Sequence, residues 1–353
     1  MTRPPHGVGF IGAGAVTQAI HLPTLARLRD RLAIRRVFDV DHGVARSVAD
    51  RVGAAPSSDL EEFLASAGLD VIAICSPDRL HAEHALAAIT AGAKVVLCEK
   101  PLATTVEDAQ RIAEAAREAG TALIVGAMHT FDESWTTVRE ELTAGSSSQR
   151  FVRSSIVLPP NERFEDFATE VEGHRVSPGP AHAPQSAAEH GELLRRMILG
   201  LSIHDLPLVR QLVEDAEAVT VLDARALQPF GYQVLATAGR TRLEVHASMG
   251  QPWRPDWRLE VLGEDVQASI VFTPSYVHAG SGVSRVTRGE TTAVHGPFPA
   301  NGYEAEWRSI AKVLEGTGTA PRLEDLVDDL RFALTLADGV RDLITQQHEE
   351  SAA

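Results

Sequence analysis

GVGFIGAGAVT, residues 7–17, is the stretch from which the fold of the N-terminal part can be read. Its mostly apolar start predicts a buried strand, and Gly12 and Gly14 then allow a tight turn into a helix. Such a turn lets the backbone approach a pyrophosphate, while the helix N-terminus offers free N–H groups and the positive end of its dipole. Thr17 stands at the third position of the GxGxxG pattern, so the motif alone is weak and a strand–helix turn without ligand is the alternative.

Strand and helix patterns alternate through the rest of the first third of the chain. Short apolar strands separated by helices predict a parallel sheet covered on both faces, which right-handed crossovers make doubly wound, as in the Rossmann fold. The predicted strands are Gly7–Ile11, Ala33–Phe38, Val71–Cys75, Val95–Cys98 and Ala122–Gly126, and the predicted helices are Ala15–Leu28, Val44–Val52, Leu80–Ala91 and Val106–Ala119.

The pattern changes after about residue 126. Successive strands without intervening helices predict a mostly antiparallel, open sheet, and with its helices this makes a C-terminal α+β domain. We expect a dinucleotide-binding domain over residues 1–130 and a substrate-binding and oligomerisation domain over 131–353, with an insertion or lid at 159–190. The predicted elements are a helix Glu133–Leu142, a strand Phe151–Leu158, a helix Glu192–Val213, strands within Ala216–Val294, and helices Tyr303–Leu314 and Leu323–Gln346.

Composition narrows the class of protein. The chain has 353 residues, of which 44% are hydrophobic and 23% charged, and these values suit a globular two-domain protein. Its formal net charge of -15 would repel nucleic acid and anionic membranes, so neither is expected as a partner. Cys75 and Cys98 end apolar runs and are expected to be reduced core thiols, and no residue spacing predicts a metal site. Without an apolar signal-peptide core or a run near the ~20 residues that span a bilayer, a cytoplasmic location is expected.

Asp39 bears on the choice of cofactor. It ends the second predicted strand, where a carboxylate can accept hydrogen bonds from the adenosine ribose and would repel a 2′-phosphate. The next residue is Val40 rather than Arg, so we expect NAD to be preferred over NADP, although His42 and Arg46 keep NADP possible.

Four ordered motifs carry a resemblance to a known family. They are Gly12–Gln18 followed by His21-Leu-Pro23, Ser76-Pro77-Asp78 followed by His81, Gly92–Val96 with Glu99-Lys100-Pro101, and His204-Asp205 ahead of Leu208–Leu212. Together they resemble the glucose–fructose oxidoreductase, inositol dehydrogenase and rhizopine-catabolism family, closely over residues 7 to about 130 and in pattern beyond that.

The resemblance implies roles for particular residues. Lys100 takes the position of the family's catalytic Lys beside nicotinamide and the reacting hydroxyl, and a cis peptide bond to Pro101 is expected. His204 takes the position of the acid–base His. Many members carry an Asp one helical turn before that His, where this chain has Gly200, and another three residues after it, where this chain has Pro207. The usual His–Asp pairing is therefore open.

The remaining site predictions also follow the resemblance. A homodimer or homotetramer is expected, with His129 and Asp205 near a carbohydrate-like substrate. The cofactor-binding set is Gly12, Ala13, Gly14, Ala15, Val16, Asp39, Ser76, Pro77, His81, Glu99, Lys100 and Met128.

Three functions fit these observations. The first is an NAD-dependent oxidoreductase that transfers hydride between nicotinamide and a secondary hydroxyl or keto group of a sugar, cyclitol or related polyol. The second is a redox-neutral glycosidase or lyase with tightly held NAD on the same fold. The third is a dinucleotide-binding regulator without turnover. This alternative is kept because Gly200 stands where many family members carry an Asp.

Overall fold

The computed structural model describes residues 4–143, 150–160, 163, 165, 169–173, 186–250, 254–278 and 280–352. These residues form two compact units. The first unit comprises Met1–Met128, Glu162–Arg175 and Tyr303–Leu330, and the second comprises His129–Asn161, Val176–Gly302 and Arg331–Ala353, in each case where the chain is described.

The first unit is built on a six-stranded sheet of order β3-β2-β1-β4-β5-β6 in which every pair is parallel. Every residue of β1, β4 and β5 is buried, as expected for central strands covered on both faces. The doubly wound sheet predicted from the sequence is confirmed. Its strands are β1 (His6–Ile11), β2 (Leu32–Phe38), β3 (Ala55–Ser57), β4 (Val71–Ile74), β5 (Val95–Cys98) and β6 (Ala122–Val125).

Helices follow these strands and end where the sequence supplies caps. The side chain of Thr105 accepts the N–H of Asp108 at the start of α5, and Gly120, with φ of 68°, ends that helix, so α5 has the predicted bounds. The helical segment after β1 begins at Ala15 and contains a π-helical turn over Thr17–His21. The helices of this unit are α1 (Leu22–Ala26), α2 (His42–Val52), α3 (Leu60–Leu64), α4 (His81–Thr90), α5 (Val106–Ala119) and α10 (Gly302–Glu315).

The second unit contains an eight-stranded sheet of order β14-β13-β12-β11-β7-β10-β9-β8, antiparallel except for the parallel pair of β7 with β10. Buried residues alternate with partly exposed ones along β7, and on its more exposed face Arg153 pairs with Glu244 and Glu260. The mostly antiparallel sheet is confirmed. Its strands are β7 (Arg150–Leu158), β8 (Val219–Leu227), β9 (Gly231–Ala238), β10 (Thr241–Met249), β11 (Asp256–Gly263), β12 (Gln267–Phe272), β13 (Val283–Arg288) and β14 (Thr291–His295).

The helix predicted over Glu192–Val213 is wrong as a single element. It is α8 (Ala187–Gly200), a 3₁₀ turn at Ser202–His204, and α9 (Leu206–Leu212). Pro207 has no N–H to donate within a continuous helix, and its ring would collide with the carbonyl four residues earlier, so the helix restarts with the proline in its first turn. His204 therefore lies in a turn between helices rather than on a helix.

Other boundaries differ less. The predicted helix Glu133–Leu142 is two short helices, α6 (Glu133–Thr136) and α7 (Arg139–Thr143), and the last helix, α11, runs over Leu323–Ala352. Most of the predicted insertion at 159–190 lies outside the described residues. Among the residues that the structure describes, no helix has the length and hydropathy needed to cross a membrane.

Candidate active site

Gly12 ends the first strand of the sheet with a left-handed turn. Its φ is +101°, and a Cβ here would stand 2.6 Å from the carbonyl oxygen of Cys75, so glycine is required. Thr17, at the third position of the glycine pattern, donates its hydroxyl to the carbonyl of Gly12 at 2.7 Å. Thr17, which departs from the GxGxxG pattern, therefore links the helix to the glycine turn by a hydrogen bond.

Gly14 leaves the backbone open at the start of the helix. Within the described chain, nothing lies within 4 Å of the place where its Cβ would stand, and the helix of residues 15–26 begins next to it. The first N–H groups of a helix have no partner within the helix, and a phosphate can accept from them. The turn over residues 12–16 thus fits the pyrophosphate of a dinucleotide.

Asp39 lies beside this turn at the carboxyl end of β2. Its Oδ2 accepts the N–H of Ala13 at 2.9 Å and its Oδ1 accepts the N–H of Asp41 at 2.9 Å. A carboxylate has about four acceptor positions, so capacity remains for the hydroxyls of a ribose. The structure places Asp39 and Ala13 together, as a ribose–pyrophosphate site needs.

His81 bridges the loops that follow β4 and β5. Its Nε2 lies 2.8 Å from the carbonyl oxygen of Ser76, and its Nδ1 lies 2.6 Å from that of Pro101. The Ser76 hydroxyl lies 2.8 Å from Nδ1 of His84. These predicted cofactor-site residues are thus brought together in the first unit, and His81, which is 2% exposed, bonds to backbone there.

Glu99 turns its carboxylate into the interior of the first unit. Oε1 lies 3.0 Å from Nε2 of His21, and Oε2 accepts the backbone N–H of Lys100 at 3.2 Å. A Cβ on Gly126 would stand 3.0 Å from this carboxylate, so any larger residue there would press on the Glu99 side chain. Burial alone would raise the pKa of Glu99, but the hydrogen bond from His21 and the nearby positive charge lower it.

Trp307 fixes the hydrogen-bonding state of His21. The indole N–H donates to Nδ1 of His21 at 3.0 Å. Burial would lower the pKa of His21, while Cys75 and Glu99 would raise it to about 10. That protonation, however, needs a hydrogen on Nδ1, where the indole donates. The hydrogen bonds therefore assign the neutral tautomer, with Nε2–H donating to Glu99.

A second carboxyl group, that of Glu306, lies in the same interior. Glu306 is 0% exposed, and among the described residues neither of its oxygens has a hydrogen-bond partner. Burial raises its pKa well above the usual value, and the charge of Glu99 raises it further. The two buried carboxyls therefore differ: Glu99, with two donors, is ionised and Glu306 is protonated.

Lys100 follows β5 next to the ionised Glu99. It is half-buried, and its peptide bond to Pro101 is cis, as expected. Burial lowers the pKa of Lys100, while the carboxylates of Glu99 and Asp78 raise it. Lys100 lies at the same edge of the sheet as the turn after β1, because the carboxyl ends of parallel strands share one edge.

The second unit holds a separate polar cluster around Asp205, which is 0% exposed. Its carboxylate accepts from Nδ1 of His129 at 2.7 Å and from the hydroxyl of Ser154 at 2.8 Å. The indole N–H of Trp257 donates to both oxygens at 3.0 and 2.9 Å. Three donors thus satisfy a buried charge that would otherwise be costly.

Two histidine rings lie in this cluster. The ring of His129 stacks on Phe272 with centroids 3.8 Å apart, and the rings of His129 and Trp257 form a T-shaped pair with centroids 4.7 Å apart. The His204 and His129 rings are 6.4 Å apart. His129 and Asp205, both expected near the substrate, are bonded to each other, and the histidine that bonds to this carboxylate is His129.

Several residues of these clusters were not predicted from the sequence. They have no motif of their own, and the structure alone brings them next to predicted positions. Met128, by contrast, was predicted and is buried at the end of the first unit, 2% exposed. The missed residues are His21 as a partner of Glu99, Ser154, Trp257, Phe272, Glu306 and Trp307.

Comparison with known proteins identifies the class. Residues 6–127 match the model of an oxidoreductase family with an NAD-binding Rossmann fold. The chain is 28% identical over 328 residues to inositol 2-dehydrogenase 3 of Saccharopolyspora erythraea, covering 90% of this chain and 88% of that protein. It is 30% identical over 301 residues to inositol 2-dehydrogenase 1 of the same organism, covering 84% and 82%.

A solved structure supports the fold. A 3-ketoreductase from Actinomadura kijaniata, in complex with NADP and TDP-benzene, superposes with a TM-score of 0.69 at 20% identity, covering 95% of this chain and 98% of the other. The chain is thus an oxidoreductase with an NAD(P)-binding Rossmann domain. It belongs to the glucose–fructose oxidoreductase, inositol dehydrogenase and rhizopine-catabolism family.

Proposed function

We propose that this protein transfers hydride between NAD and a secondary hydroxyl or keto group of a sugar, cyclitol or related polyol, with Lys100 as a catalytic residue. The observation that carries the proposal is the placement of Lys100. It follows β5 at the sheet edge where the glycine turn and Asp39 also lie, and in a doubly wound sheet this edge is where ligands bind.

The chemistry of Lys100 suits this role. An ammonium next to a reacting oxygen donates a hydrogen bond and stabilises developing alkoxide charge, most strongly where water is excluded. Burial lowers the pKa of Lys100, which brings its proton closer to exchange at neutral pH. NAD, when bound, supplies the two-electron acceptor, and the proton of the hydroxyl must pass to a protein base. His204 is the expected base from the family resemblance.

The remaining expected cofactor positions fit NAD. Gly12, Gly14 and the first turn of the helix suit the pyrophosphate, and Asp39 suits an unmodified ribose. We infer that Ser76, Pro77, His81, Glu99 and Met128 shape the rest of this site. The two inositol 2-dehydrogenases among the relatives support a polyol as substrate.

A screen of the purified protein tests the proposal. myo-Inositol, other cyclitols, hexoses, glucosides and keto-sugars are each supplied with NAD or NADP, and NADH absorbance is followed. We expect NADH from at least one polyol, or its consumption with a keto-sugar. Product formation on co-purified NAD without net NADH would overturn the proposal in favour of redox-neutral chemistry. NAD binding without any turnover would overturn it in favour of a regulator.

We also propose that the chain forms a homodimer or homotetramer. Large apolar side chains are exposed on the sheet of the second unit: Leu222 is 58% exposed, Leu262 45% and Val294 55%. Exposed apolar surface favours association. Light scattering coupled to size exclusion checks the mass in solution, and a monomer at micromolar concentration would contradict this proposal.

A further inference from the structure

The carboxylate of Asp205 bonds to His129 rather than to His204, the neighbouring residue that the resemblance makes the acid–base histidine. Asp205 directly follows His204, yet its Oδ1 accepts from Nδ1 of His129, which lies 76 residues away in sequence. At 2.7 Å this is a short, charge-assisted bond between buried side chains, 3% and 0% exposed. Such a bond sets both the tautomer and the orientation of the imidazole.

The tautomer leaves one nitrogen of His129 available as a base. Because Asp205 also accepts from Ser154 and Trp257, its carboxylate acts as a hydrogen-bond acceptor toward each of these partners. Nδ1 of His129 must therefore carry the hydrogen, and Nε2 of the neutral ring carries the lone pair. When Nε2 takes up a proton, the carboxylate stabilises the imidazolium that forms.

The ring of His129 is also held in a single plane. Phe272 stacks on it at an interplanar angle of 11°, and Trp257 forms a T-shaped pair with it at 77°. Because the same Trp257 bonds to Asp205, the ring and its carboxylate partner are fixed by one side chain. A preorganised acid–base group avoids the cost of ordering during the reaction.

We infer that His129, oriented by Asp205, is the general acid–base residue of this enzyme, in place of His204. This inference rests on the proposed hydride-transfer function. In the oxidation of a polyol, the C–H bond breaks and hydride passes to NAD, while the O–H bond breaks and its proton passes to Nε2 of His129. A C=O bond forms, Asp205 keeps its charge, and reduction runs the same steps in reverse. Asp205 is a positioning residue.

Among the described residues, two titratable groups contact His129 in its cluster. Asp205 and His204 are the titratable groups facing it in its cluster. Asp132 is also near, because its backbone N–H donates to the carbonyl of His129, but the carboxylate of Asp132 accepts from the hydroxyl of Ser134 instead. The test variant of Asp205 therefore changes the charge of the group that bonds directly to His129.

Matched histidine variants test the assignment. His129→Asn keeps a donor near Asp205 but removes the base, His204→Asn removes the alternative base, and His246→Asn changes a half-buried histidine of β10 outside the cluster. With NAD and the most active polyol of the screen, we expect His129→Asn to lower kcat by at least ~100-fold. His204→Asn should lower it less than about tenfold, and His246→Asn should leave it unchanged.

Asp205→Asn supplies a readout that a purely structural role would not move. The isosteric amide removes the negative charge, so kcat should fall and the acidic limb of the kcat/KM profile should move to lower pH. Nitrogen-15 NMR of the imidazoles should show an Nδ1–H tautomer for His129 that changes in this variant. A loss of thermal stability with an unmoved profile would overturn the role of Asp205.

The outcomes separate the two proposals. If the wild-type protein turns over no substrate of the screen, the hydride-transfer function fails and the acid–base assignment fails with it. If wild type is active and folded His129→Asn stays within about threefold of it, or His204→Asn loses more activity, only the assignment of His129 is overturned.

Discussion

Nε2 of His21 and Oε1 of Glu99 lie 3.0 Å apart in the interior of the first unit. This bond, with the N–H of Lys100 on the other oxygen, gives Glu99 the donors that a buried charge requires. Glu306 in the same interior receives no such donor among the described residues. One carboxyl is therefore charged and the other neutral, and the charged one adjoins the proposed catalytic lysine.

Glu306→Gln should make the protein more stable at neutral and alkaline pH. The unfolded Glu306 ionises near 4.5, but burial raises the pKa of the folded group well above that. At a pH between the unfolded and folded pKa of Glu306, the folded state holds a proton that the unfolded state has lost. The free energy of unfolding of the wild type therefore falls as pH rises, by about 1.4 kcal/mol per pH unit. Denaturant unfolding at several pH values should show no difference near pH 4.5 and a growing advantage of the variant above it. Parallel pH curves would contradict the protonated state.

Lys100→Ala should abolish turnover and leave NAD affinity nearly unchanged. The variant removes the ammonium that stabilises alkoxide charge but no group of the glycine turn. Lys94→Ala is the matched control, because Lys94 precedes the strand that Lys100 follows, is 63% exposed and pairs with Asp70. Steady-state kinetics with separate calorimetry of NAD binding checks both.

His204→Ala should slow turnover by a smaller factor than Lys100→Ala. His204 lies in the turn between α8 and α9, where Gly200 stands in place of an acid. Near-normal turnover in Lys100→Ala would contradict the proposed mechanism. A larger loss of turnover in His204→Ala than in Lys100→Ala would show that His204 contributes more to catalysis than Lys100.

Asp39→Ser should narrow the preference for NAD over NADP. The carboxylate of Asp39 favours an unmodified ribose and repels a 2′-phosphate. The variant also removes the acceptor for the N–H of Ala13, so some loss of NAD affinity is expected. Calorimetric titration of both dinucleotides into both proteins gives the ratio. A wild-type protein that binds NADP more tightly than NAD would show that the role of Asp39 is misassigned.

Trp257→Phe should destabilise the second unit more than Trp135→Phe. Both tryptophans are fully buried there, 1% and 0% exposed, so the lost packing is similar. Trp257 donates to the buried Asp205, whereas the indole nitrogen of Trp135 has no partner among the described residues. The difference should be about 1–3 kcal/mol in the free energy of unfolding, measured by urea titration. Equal losses would mean that the indole bond to Asp205 contributes little.

The architecture could be predicted from sequence because its signals are local. Apolar runs of four to six residues marked the parallel strands, since central strands are buried on both faces, and β5 has the predicted bounds of Val95–Cys98. The short elements β3 and α3 were missed because three to five residues carry too little periodicity. Pro207 did carry the signal that the helix would break, although the prediction ran through it.

The partners within the site could not be predicted, because they depend on residues far apart in sequence. Asp205 meets Ser154 and Trp257 across 51 and 52 residues, and no spacing rule connects them. Glu306 lies in a helix where a glutamate is usually solvated, and only the packing of the first unit shows that it is buried. Sequence thus identified Asp205 and His129 as candidates without indicating that they bond to each other.

The position of His81 has a consequence for engineering this enzyme. Its two ring nitrogens reach the backbone of Ser76 and of Pro101, so the loops after β4 and β5 share one anchor. If only one of these loops is replaced by the loop of a relative, the carbonyl that it supplies to His81 can be misplaced. A buried ring nitrogen of His81 would then lack its hydrogen-bond partner. The two loops and His81 should therefore be exchanged together, as a single module, when cofactor or substrate preference is redesigned.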